Sequence, residues 1–177
     1  MATGRAIFLD RDGVLNVEKG RYVFLPEDFE IVSGVIKVLR FFKSKDFRLI
    51  VITNQAGIGK GLYTVDDMNR CHDYFQAQSG NLIDHFYFAP DHPSVSESLS
   101  RKPGKLLFEK ALAKYDLDPR NCWMIGDKER DLIPAKSLRI KTVILNAVDS
   151  EYADFQIGKI EEFLEIFTKL GASNGLP

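Results

Sequence analysis

The sequence predicts an α/β domain, a doubly wound parallel sheet of the Rossmann-like kind with helices on both faces. Two observations predict it. Short, nearly continuous apolar runs, which are typical of strands buried on both faces, alternate with amphipathic segments of helical period. The chain has 177 residues, the size of one ordinary domain, and carries no internal repeat. We therefore expect residues 1–177 to form a single domain.

The predicted strands are the apolar runs, and the predicted helices follow the 3.6-residue spacing. Thr64 and Asp67 form a capping-box pattern at the start of the second helix, and Pro134 is expected in the first turn of a short helix. The strands are expected at 6–9, 48–52, 83–89, 123–125 and 142–145. The helices are expected at 35–42, 64–78, 106–115, 132–138 and 160–170.

Composition narrows the possible partners. Hydrophobic residues make up 45% and charged residues 28% of the chain, as in globular proteins, and the formal net charge is -1. No global positive field attracts nucleic acid, and no stretch approaches the roughly 20 apolar residues of a membrane-spanning helix, so neither partner is expected. Cys71 and Cys122 do not form a metal-type pair and are expected as reduced thiols of a cytoplasmic protein. We expect a monomer.

Polar residues follow the predicted strands at the points where they end. In doubly wound folds, ligands bind beyond the carboxyl ends of the strands, so these residues are expected to share one site. The candidate segments are Asp10-Arg11-Asp12-Gly13, Thr53-Asn54-Gln55, Arg101-Lys102-Pro103 and Gly126-Asp127-Lys128 with Asp131.

Charge balance in this set indicates a phosphate ester and a divalent cation. Asp10 and Asp12 are two residues apart in an extended segment, so both carboxylates can face one ligand. A phosphate ester adds about two negative charges, which one lysine cannot offset. Oxygen ligands together with phosphate suit Mg²⁺, and Lys102 and the hydroxyl of Thr53 are expected to hold phosphate oxygens. The sequence therefore predicts covalent phosphoryl transfer in which Asp10 attacks phosphorus and Asp12 moves the proton.

At these residues the chain resembles the haloacid dehalogenase (HAD) superfamily of phosphatases, in the order, spacing and strand-end position of its four motifs. The resemblance implies a nucleophile at Asp10 and an acid/base at Asp12. It also implies a small phosphorylated metabolite as substrate. The Mg²⁺ ligands would be Asp10, the backbone carbonyl of Asp12, and Asp127. The residues implied to support the metal site are Lys128 and Asp131, and those expected to bind substrate or phosphate are Thr53, Asn54, Arg101 and Lys102.

Within the superfamily, the segments 10–16, 53–61 and 126–128 are most similar to the group of phosphatases acting on heptose bisphosphates and on histidinol phosphate. A heptose 1,7-bisphosphate is the expected substrate, with histidinol phosphate or another small sugar phosphate as the alternative. Polynucleotide 3′-phosphatases share two motifs but usually lack an arginine at the position of Arg11. A non-catalytic phosphate-binding module is the alternative from another class.

The chain departs from this group in one loop. The group typically carries a zinc loop of three cysteines and one histidine before the Arg-Lys-Pro motif. Here His92 is the only cysteine or histidine in the loop at 89–100, so no zinc is expected. The stretch between Asn54 and Arg101 is too short for a large cap domain, and 14–29 is expected to form a small flap. The resemblance thus implies a HAD fold with a minimal cap and an open site.

Overall fold

The computed structural model describes residues 3–94, 96–146 and 149–173. Six strands form one fully parallel sheet in the order β3-β2-β1-β4-β5-β6. The strands are β1 (Ala6–Leu9), β2 (Arg48–Asn54), β3 (His85–Ala89), β4 (Trp123–Gly126), β5 (Lys141–Leu145) and β6 (Phe155–Ile157). This is the doubly wound sheet that the sequence predicts.

Helices connect these strands. The α-helices are α1 (Val35–Lys43), α2 (Ala56–Gly59), α3 (Val65–Ser79), α4 (Leu106–Lys114), α5 (Glu129–Ser137) and α6 (Glu162–Ser173). Short 3-10 turns lie at Pro26–Asp28 and Pro119–Asn121. The predicted capping box is present at the start of α3, where Thr64 and Asp67 bond each other's backbone N–H groups.

The structure differs from the prediction in three details. The helix containing Pro134 begins at Glu129, three residues earlier than expected, so the proline lies inside α5 rather than in its first turn. The helical turn α2 at Ala56–Gly59 was not predicted. The edge strand β6 was not predicted, because its three residues include the polar Gln156.

The sheet is covered on both faces by apolar side chains. On β1, Ile7 and Leu9 point to the face covered by α1, α3 and α6, whereas Ala6 and Phe8 point to the face covered by α4 and α5. All four residues are fully buried. Burial on both faces explains why the strand sequences are continuously apolar.

Residues 14–29, which we call the flap, follow the first strand and fold back against the body of the domain. The flap is anchored where Asn16 pairs with Ile31 in an antiparallel bridge and where Val23 is buried in the core. It is the only insertion between β1 and α1, so the cap over the sheet edge is minimal. Among the described residues, no helix is both long enough and apolar enough to cross a membrane.

Candidate active site

The site lies where the strand order reverses direction. From β1 the chain proceeds first to β2 and β3 on one side, and later to β4, β5 and β6 on the other. Asp10 directly follows β1, and Asp127 directly follows the neighbouring strand β4. Such a switch point leaves a crevice at the carboxyl ends of the strands, which is where doubly wound folds bind ligands.

Lys102 is the central cation of the site. Its side chain is almost fully buried, and its Nζ lies 2.9 Å from Oδ1 of Asp10 and 2.7 Å from Oδ1 of Asp131. It also donates a hydrogen bond of 2.6 Å to the carbonyl of Ile52. Lys102 therefore has two ion-pair partners and one hydrogen-bond acceptor within the protein. A contact from Lys102 to phosphate would compete with these partners.

Asp131 supports the site from α5. Its Oδ2 accepts a hydrogen bond of 3.2 Å from the backbone N–H of Lys128, while Oδ1 faces Lys102. Gly126 leaves room for the side chain of Asp131, because a Cβ at residue 126 would lie 2.4 Å from the Cβ of Asp131. Asp131 therefore connects the end of β4 to the buried lysine.

The carboxyl of Asp10 is held in an unusual electrostatic environment. Its Oδ1 accepts a hydrogen bond of 2.7 Å from the backbone N–H of Arg11 as well as contacting Lys102. Burial raises the pKa of Asp10 to about 6, the negative charge of Asp131 adds to this rise, and Lys102 opposes it. Burial likewise raises the pKa of Asp127, with a contribution from the charge of Asp10. The site accumulates more negative charge than its single buried lysine balances.

These carboxylates fit a divalent cation. Asp10, Asp127 and Asp131 each offer an oxygen within 4.8 Å of the others. Oδ1 of Asp127 is buried and has no hydrogen-bond partner among the residues that the structure describes. A buried carboxylate oxygen without a donor is costly, and a cation would satisfy it. An all-oxygen donor set of carboxylates suits Mg²⁺.

Gly13 sets the distance between the first strand end and Asp127. Its backbone adopts φ +91°, a conformation that favours glycine. A Cβ at this position would lie 2.5 Å from both Cγ and Oδ2 of Asp127. The chain after Asp12 can therefore pass directly against the carboxylate of Asp127 only because residue 13 has no side chain.

Asp12 is held by several donors. Arg11 donates to both of its oxygens, through Nη2 at 2.9 Å and Nε at 3.1 Å. Asn16 donates to Oδ1 and Gln55 donates to Oδ2, each at 3.1 Å. Arg11 also donates a bond of 2.7 Å to the carbonyl of Val23 in the flap. The carboxylate is fixed in direction, and a quarter of its side-chain surface remains exposed to a ligand.

The residues at the end of β2 supply the hydroxyl of Thr53 and an amide, that of Asn54, which bonds the backbone of Lys102. Thr53 is buried, and its Oγ1 accepts a hydrogen bond of 2.9 Å from Nε2 of Gln55. Asn54 donates to the carbonyl of Lys102 at 3.0 Å and accepts from its N–H at 2.9 Å. Both ends of the Asn54 amide therefore contact the backbone of Lys102, which places that lysine against β2.

The remaining predicted residues lie at the rim. Nη1 of Arg101 donates to the carbonyl of Asp91 at 3.2 Å, which fastens the loop that lacks the cysteines. Lys128 is partly exposed and forms ion pairs with Glu18 of the flap at 2.9 Å and with Asp127 at 3.4 Å. The structure thus places Lys128 beside the carboxylate of Asp127 and Arg101 outside the buried cluster.

Three residues that contact the site were not among the predicted site residues, although Gln55 stood in one of the candidate segments. Asn16 and Gln55 bond Asp12, and Glu18 pairs with Lys128. Gln55 stands in a strand-end segment, so its position was a usable signal. Asn16 and Glu18 lie in the flap, whose path over the sheet edge depends on tertiary contacts that the sequence pattern does not encode.

Comparison with known proteins identifies the family. A D-glycero-beta-D-manno-heptose-1,7-bisphosphate 7-phosphatase of Helicobacter pylori is 33% identical to this chain, over 94% of this chain and 99% of its own. A D-glycero-alpha-D-manno-heptose-1,7-bisphosphate 7-phosphatase of Campylobacter jejuni is 36% identical, over 92% and 95% respectively. The chain belongs to the HAD-like hydrolases. Residues 99–147 of this HAD-like hydrolase also match a family model described as HAD-hydrolase-like.

Solved structures confirm the fold. The D,D-heptose 1,7-bisphosphate phosphatase of B. bronchiseptica, complexed with magnesium and phosphate, superposes with a TM-score of 0.85. The two are 21% identical, and the match covers 94% of this HAD-like hydrolase and 99% of that chain. The expected absence of zinc stays a prediction, because none of these similarities tests it.

Proposed function

We propose that this HAD-like hydrolase is a Mg²⁺-dependent phosphomonoesterase that removes the 7-phosphate from D-glycero-D-manno-heptose 1,7-bisphosphate. One observation carries the chemistry: the carboxylate of Asp10 stands at the switch point, between the buried cation Lys102 and the unpaired oxygen of Asp127. The substrate follows from the relatives, which carry this activity in their names and align along almost the whole chain. The named relatives include both anomers, so the anomer is left open.

In the first step, an oxygen of the Asp10 carboxylate attacks phosphorus. A bond forms between that oxygen and phosphorus, and the bond from phosphorus to the C7 oxygen of the sugar breaks. Asp12 gives its proton to the departing oxygen, which leaves as the sugar hydroxyl. Arg11, Asn16 and Gln55 keep the Asp12 carboxyl in place for this transfer.

In the second step, water attacks the phosphorus of the aspartyl-phosphate. Asp12, now ionised, takes a proton from the water, and inorganic phosphate leaves with the carboxylate of Asp10 restored. The two steps use the same acid/base in opposite directions, so one carboxyl group serves both. The quarter of the Asp12 side chain that is exposed gives both the leaving group and the water access to it.

Mg²⁺ would be held by Asp10, Asp127 and the backbone carbonyl of Asp12. When bound, it neutralises the negative charge of the phosphoryl group and orients it toward Asp10. Asp131 serves this arrangement indirectly by holding Lys102 and the backbone of Lys128. Lys128 lies beside Asp127 and supports that carboxylate from the solvent side.

Phosphate recognition is shared between two strand ends. The Oγ1 of Thr53 accepts from Gln55, which leaves its own proton free to be donated to a phosphate oxygen. Lys102 stabilises Asp10 before the reaction and turns to the phosphoryl oxygens as the Asp10 charge is consumed. Asn54 contributes by fixing the backbone of Lys102.

The second phosphate of the substrate needs a cation of its own. Arg101 adjoins Lys102 in sequence and stands at the rim, and burial together with the nearby charge of Arg130 lowers its pKa. A phosphate would stabilise the positive charge of a guanidinium that is only partly solvated and lies near another positive charge. Arg101 is therefore the proposed ligand of the far phosphate, with Lys60 of the loop after α2 as a second candidate.

We further propose that residues 1–177 form one domain that acts as a monomer in the cytoplasm. One sheet contains all six strands of the described chain, which supports a single domain. A phosphorylated sugar is a charged metabolite that does not cross membranes unaided, which supports the location. A small metabolite, rather than nucleic acid, is the proposed partner.

The function is tested by turnover on a panel of phosphate esters with Mg²⁺ present. The panel contains heptose 1,7-bisphosphate in both anomers, heptose 7-phosphate, histidinol phosphate and a 3′-phosphorylated oligonucleotide. We expect the highest kcat/KM for one heptose bisphosphate, with loss of the C7 phosphorus signal by NMR. A higher kcat/KM for histidinol phosphate would reject the substrate while leaving the chemistry intact. If none of the esters releases phosphate, the proposed phosphatase activity is rejected.

A further inference from the structure

The amide of Gln55 has all of its described contacts at the catalytic edge of the sheet. Its Nε2 donates to Oδ2 of Asp12 at 3.1 Å and to Oγ1 of Thr53 at 2.9 Å. Its Oε1 accepts a hydrogen bond of 2.6 Å from the hydroxyl of Tyr63. Gln55 and Tyr63 are both buried, so these bonds are shielded from water.

The orientation of this amide matters because an ionised carboxylate accepts hydrogen bonds and has none to donate. With the NH₂ group toward Asp12, the amide stabilises the direction of that carboxylate. With the amide turned over, Oε1 would face the carboxylate oxygen, and two acceptors would repel each other. The hydroxyl of Tyr63 donates to the oxygen end of Gln55 in this orientation. The first orientation alone lets Gln55 bond Tyr63 and Asp12 at the same time, and the Tyr63 bond adds to its stability.

Tyr63 is itself held rigidly. Its ring stacks on Phe24 of the flap with centroids 5.0 Å apart and planes 6° from parallel. Gly57 passes beneath the ring so closely that a Cβ there would lie 2.1 Å from Cε1. Burial raises the pKa of Tyr63 to about 12, so the phenol remains a donor at any working pH. The hydroxyl is thus a fixed donor supplied by a segment outside the four motifs.

We propose that Tyr63 is a positioning residue for the phosphatase reaction, fixing the Gln55 amide so that its NH₂ group holds the Asp12 carboxyl toward the leaving oxygen. The inference rests on the proposed function, because it assigns Tyr63 to the acid/base step. Tyr63 touches neither the phosphorus nor the metal ligands and acts only through Gln55. The flap contributes to the reaction by stacking Phe24 on the ring.

The test compares two leaving groups. A sugar alkoxide must be protonated as it leaves, whereas 2,4-dinitrophenolate leaves without a proton. The parameter is kcat/KM, which reports the steps up to departure of the leaving group when that departure is irreversible. We expect Tyr63→Phe to lower kcat/KM for the heptose bisphosphate about tenfold and for 2,4-dinitrophenyl phosphate less than about threefold.

Two further variants isolate the path through Gln55. Gln55→Met keeps the length of the side chain and removes its hydrogen bonds, including the one to Thr53. It should show the selective loss of Tyr63→Phe together with a further loss common to both substrates. Adding Tyr63→Phe to Gln55→Met should change nothing more. Tyr74→Phe removes a hydroxyl from a tyrosine that packs against Phe29 in the core, and it should leave both substrates unaffected. Equal losses on the two substrates in Tyr63→Phe would overturn the proposal. So would a double variant whose loss is the sum of those of Tyr63→Phe and Gln55→Met.

A measurement independent of turnover separates this inference from the function itself. In the wild type, the side-chain amide protons of Gln55 should exchange slowly with solvent in NMR spectra, because they are buried and bonded. Tyr63→Phe should accelerate that exchange at least about tenfold, whereas Tyr74→Phe should not. Unchanged exchange in Tyr63→Phe would overturn the positioning role even in an active enzyme. Failure of every phosphate ester to react would reject the function while leaving this readout meaningful.

Discussion

At the scale of single residues, two glycines determine how closely the catalytic strand ends approach each other. Gly13 lies against Asp127 and Gly126 lies against Asp131, and in both cases a Cβ would overlap the carboxylate side chain. The sequence places Gly13 in the candidate segment that follows the first strand. It did not predict the contact between Gly13 and Asp127, because these residues come from different strands and meet only through the sheet.

Gly13→Ala should displace Asp127 and weaken metal binding. The matched control is Gly20→Ala, because Gly20 also has a positive φ, +66°, but a Cβ there would meet nothing within 4 Å. We expect Gly13→Ala to lower Mg²⁺ affinity at least about tenfold and turnover by about a hundredfold, measured by calorimetry and steady-state kinetics. Gly20→Ala should stay near wild type. Similar losses in both variants would assign the effect to backbone strain alone.

Arg101→Ala tests the recognition of the second phosphate. Loss of a charge-assisted pair costs roughly 1.5–3 kcal/mol, or about tenfold or more in kcat/KM. We expect that loss for the heptose bisphosphate and a much smaller one for heptose 7-phosphate. Arg120→Ala, at an exposed arginine before β4, is the control. Equal losses on both substrates would mean that Arg101 serves the reacting phosphate or the loop at 89–100.

At the scale of elements, the strand-end motifs were predictable and their cross-connections were not. Apolar runs and caps placed β1, β2, β4 and α3 within two residues, because periodicity and caps are local signals. Asn54 was predicted to bind substrate or phosphate, and the contacts of its amide with the backbone of Lys102 were not predicted. The sequence predicted that Lys102 binds phosphate, but not that its ammonium group also pairs with Asp10 and Asp131 and donates to the carbonyl of Ile52. Such partners depend on which loops meet, which requires the tertiary structure.

His72 makes the packing of α3 on β3 sensitive to pH. Its ring stacks on Phe86 at 4.2 Å, and burial lowers its pKa to about 3. Since the unfolded pKa is near 6.5, the unfolded chain binds more protons between those values, and stability falls as the pH falls from 6.5 toward 3. Between pH 7 and pH 5 this residue should cost about 2 kcal/mol of unfolding free energy.

The measurement is urea unfolding of the wild type and of His72→Phe at both pH values. The wild type should lose about 2 kcal/mol more than the variant on going from pH 7 to pH 5. The difference between the two proteins isolates His72 from other titrating groups. Parallel losses would show that the histidine is protonated without cost in the folded state.

At the scale of the whole molecule, the doubly wound topology gathers the charges. Because the strand order reverses between β1 and β4, Asp10 and Asp127 are brought together although they are far apart in sequence. The sequence predicted this convergence from the alternation of strands and helices. It could not predict that burial would raise the pKa of Asp10, since burial is a property of the assembled domain.

Mg²⁺ binding should depend on pH as a consequence. In the metal-free protein the pKa of Asp10 is raised to about 6, so below that pH the metal must displace a proton. Mg²⁺ affinity should then fall about tenfold for each pH unit below about 6 and level off above it. Calorimetry at pH 5, 6 and 7.5 measures this. Equal Mg²⁺ affinity at pH 5 and pH 7.5 would show that Asp10 is ionised at both pH values. The positive charge of Lys102 would then offset the effect of burial on its pKa.

The central claim is that Asp10 becomes covalently phosphorylated during turnover. The most direct measurement is a single turnover of heptose bisphosphate, labelled with radioactive phosphorus at C7, in the presence of Mg²⁺ and quenched in acid. In the wild type, label should appear transiently on the protein, and borohydride reduction should convert Asp10 to homoserine in the digested peptide. Asp12→Asn should both form and lose this label more slowly, because it can neither protonate the leaving oxygen nor activate water. Asp10→Asn should carry no label while remaining folded. Phosphate release by Asp10→Asn near the wild-type rate, or label at another residue, would contradict the account.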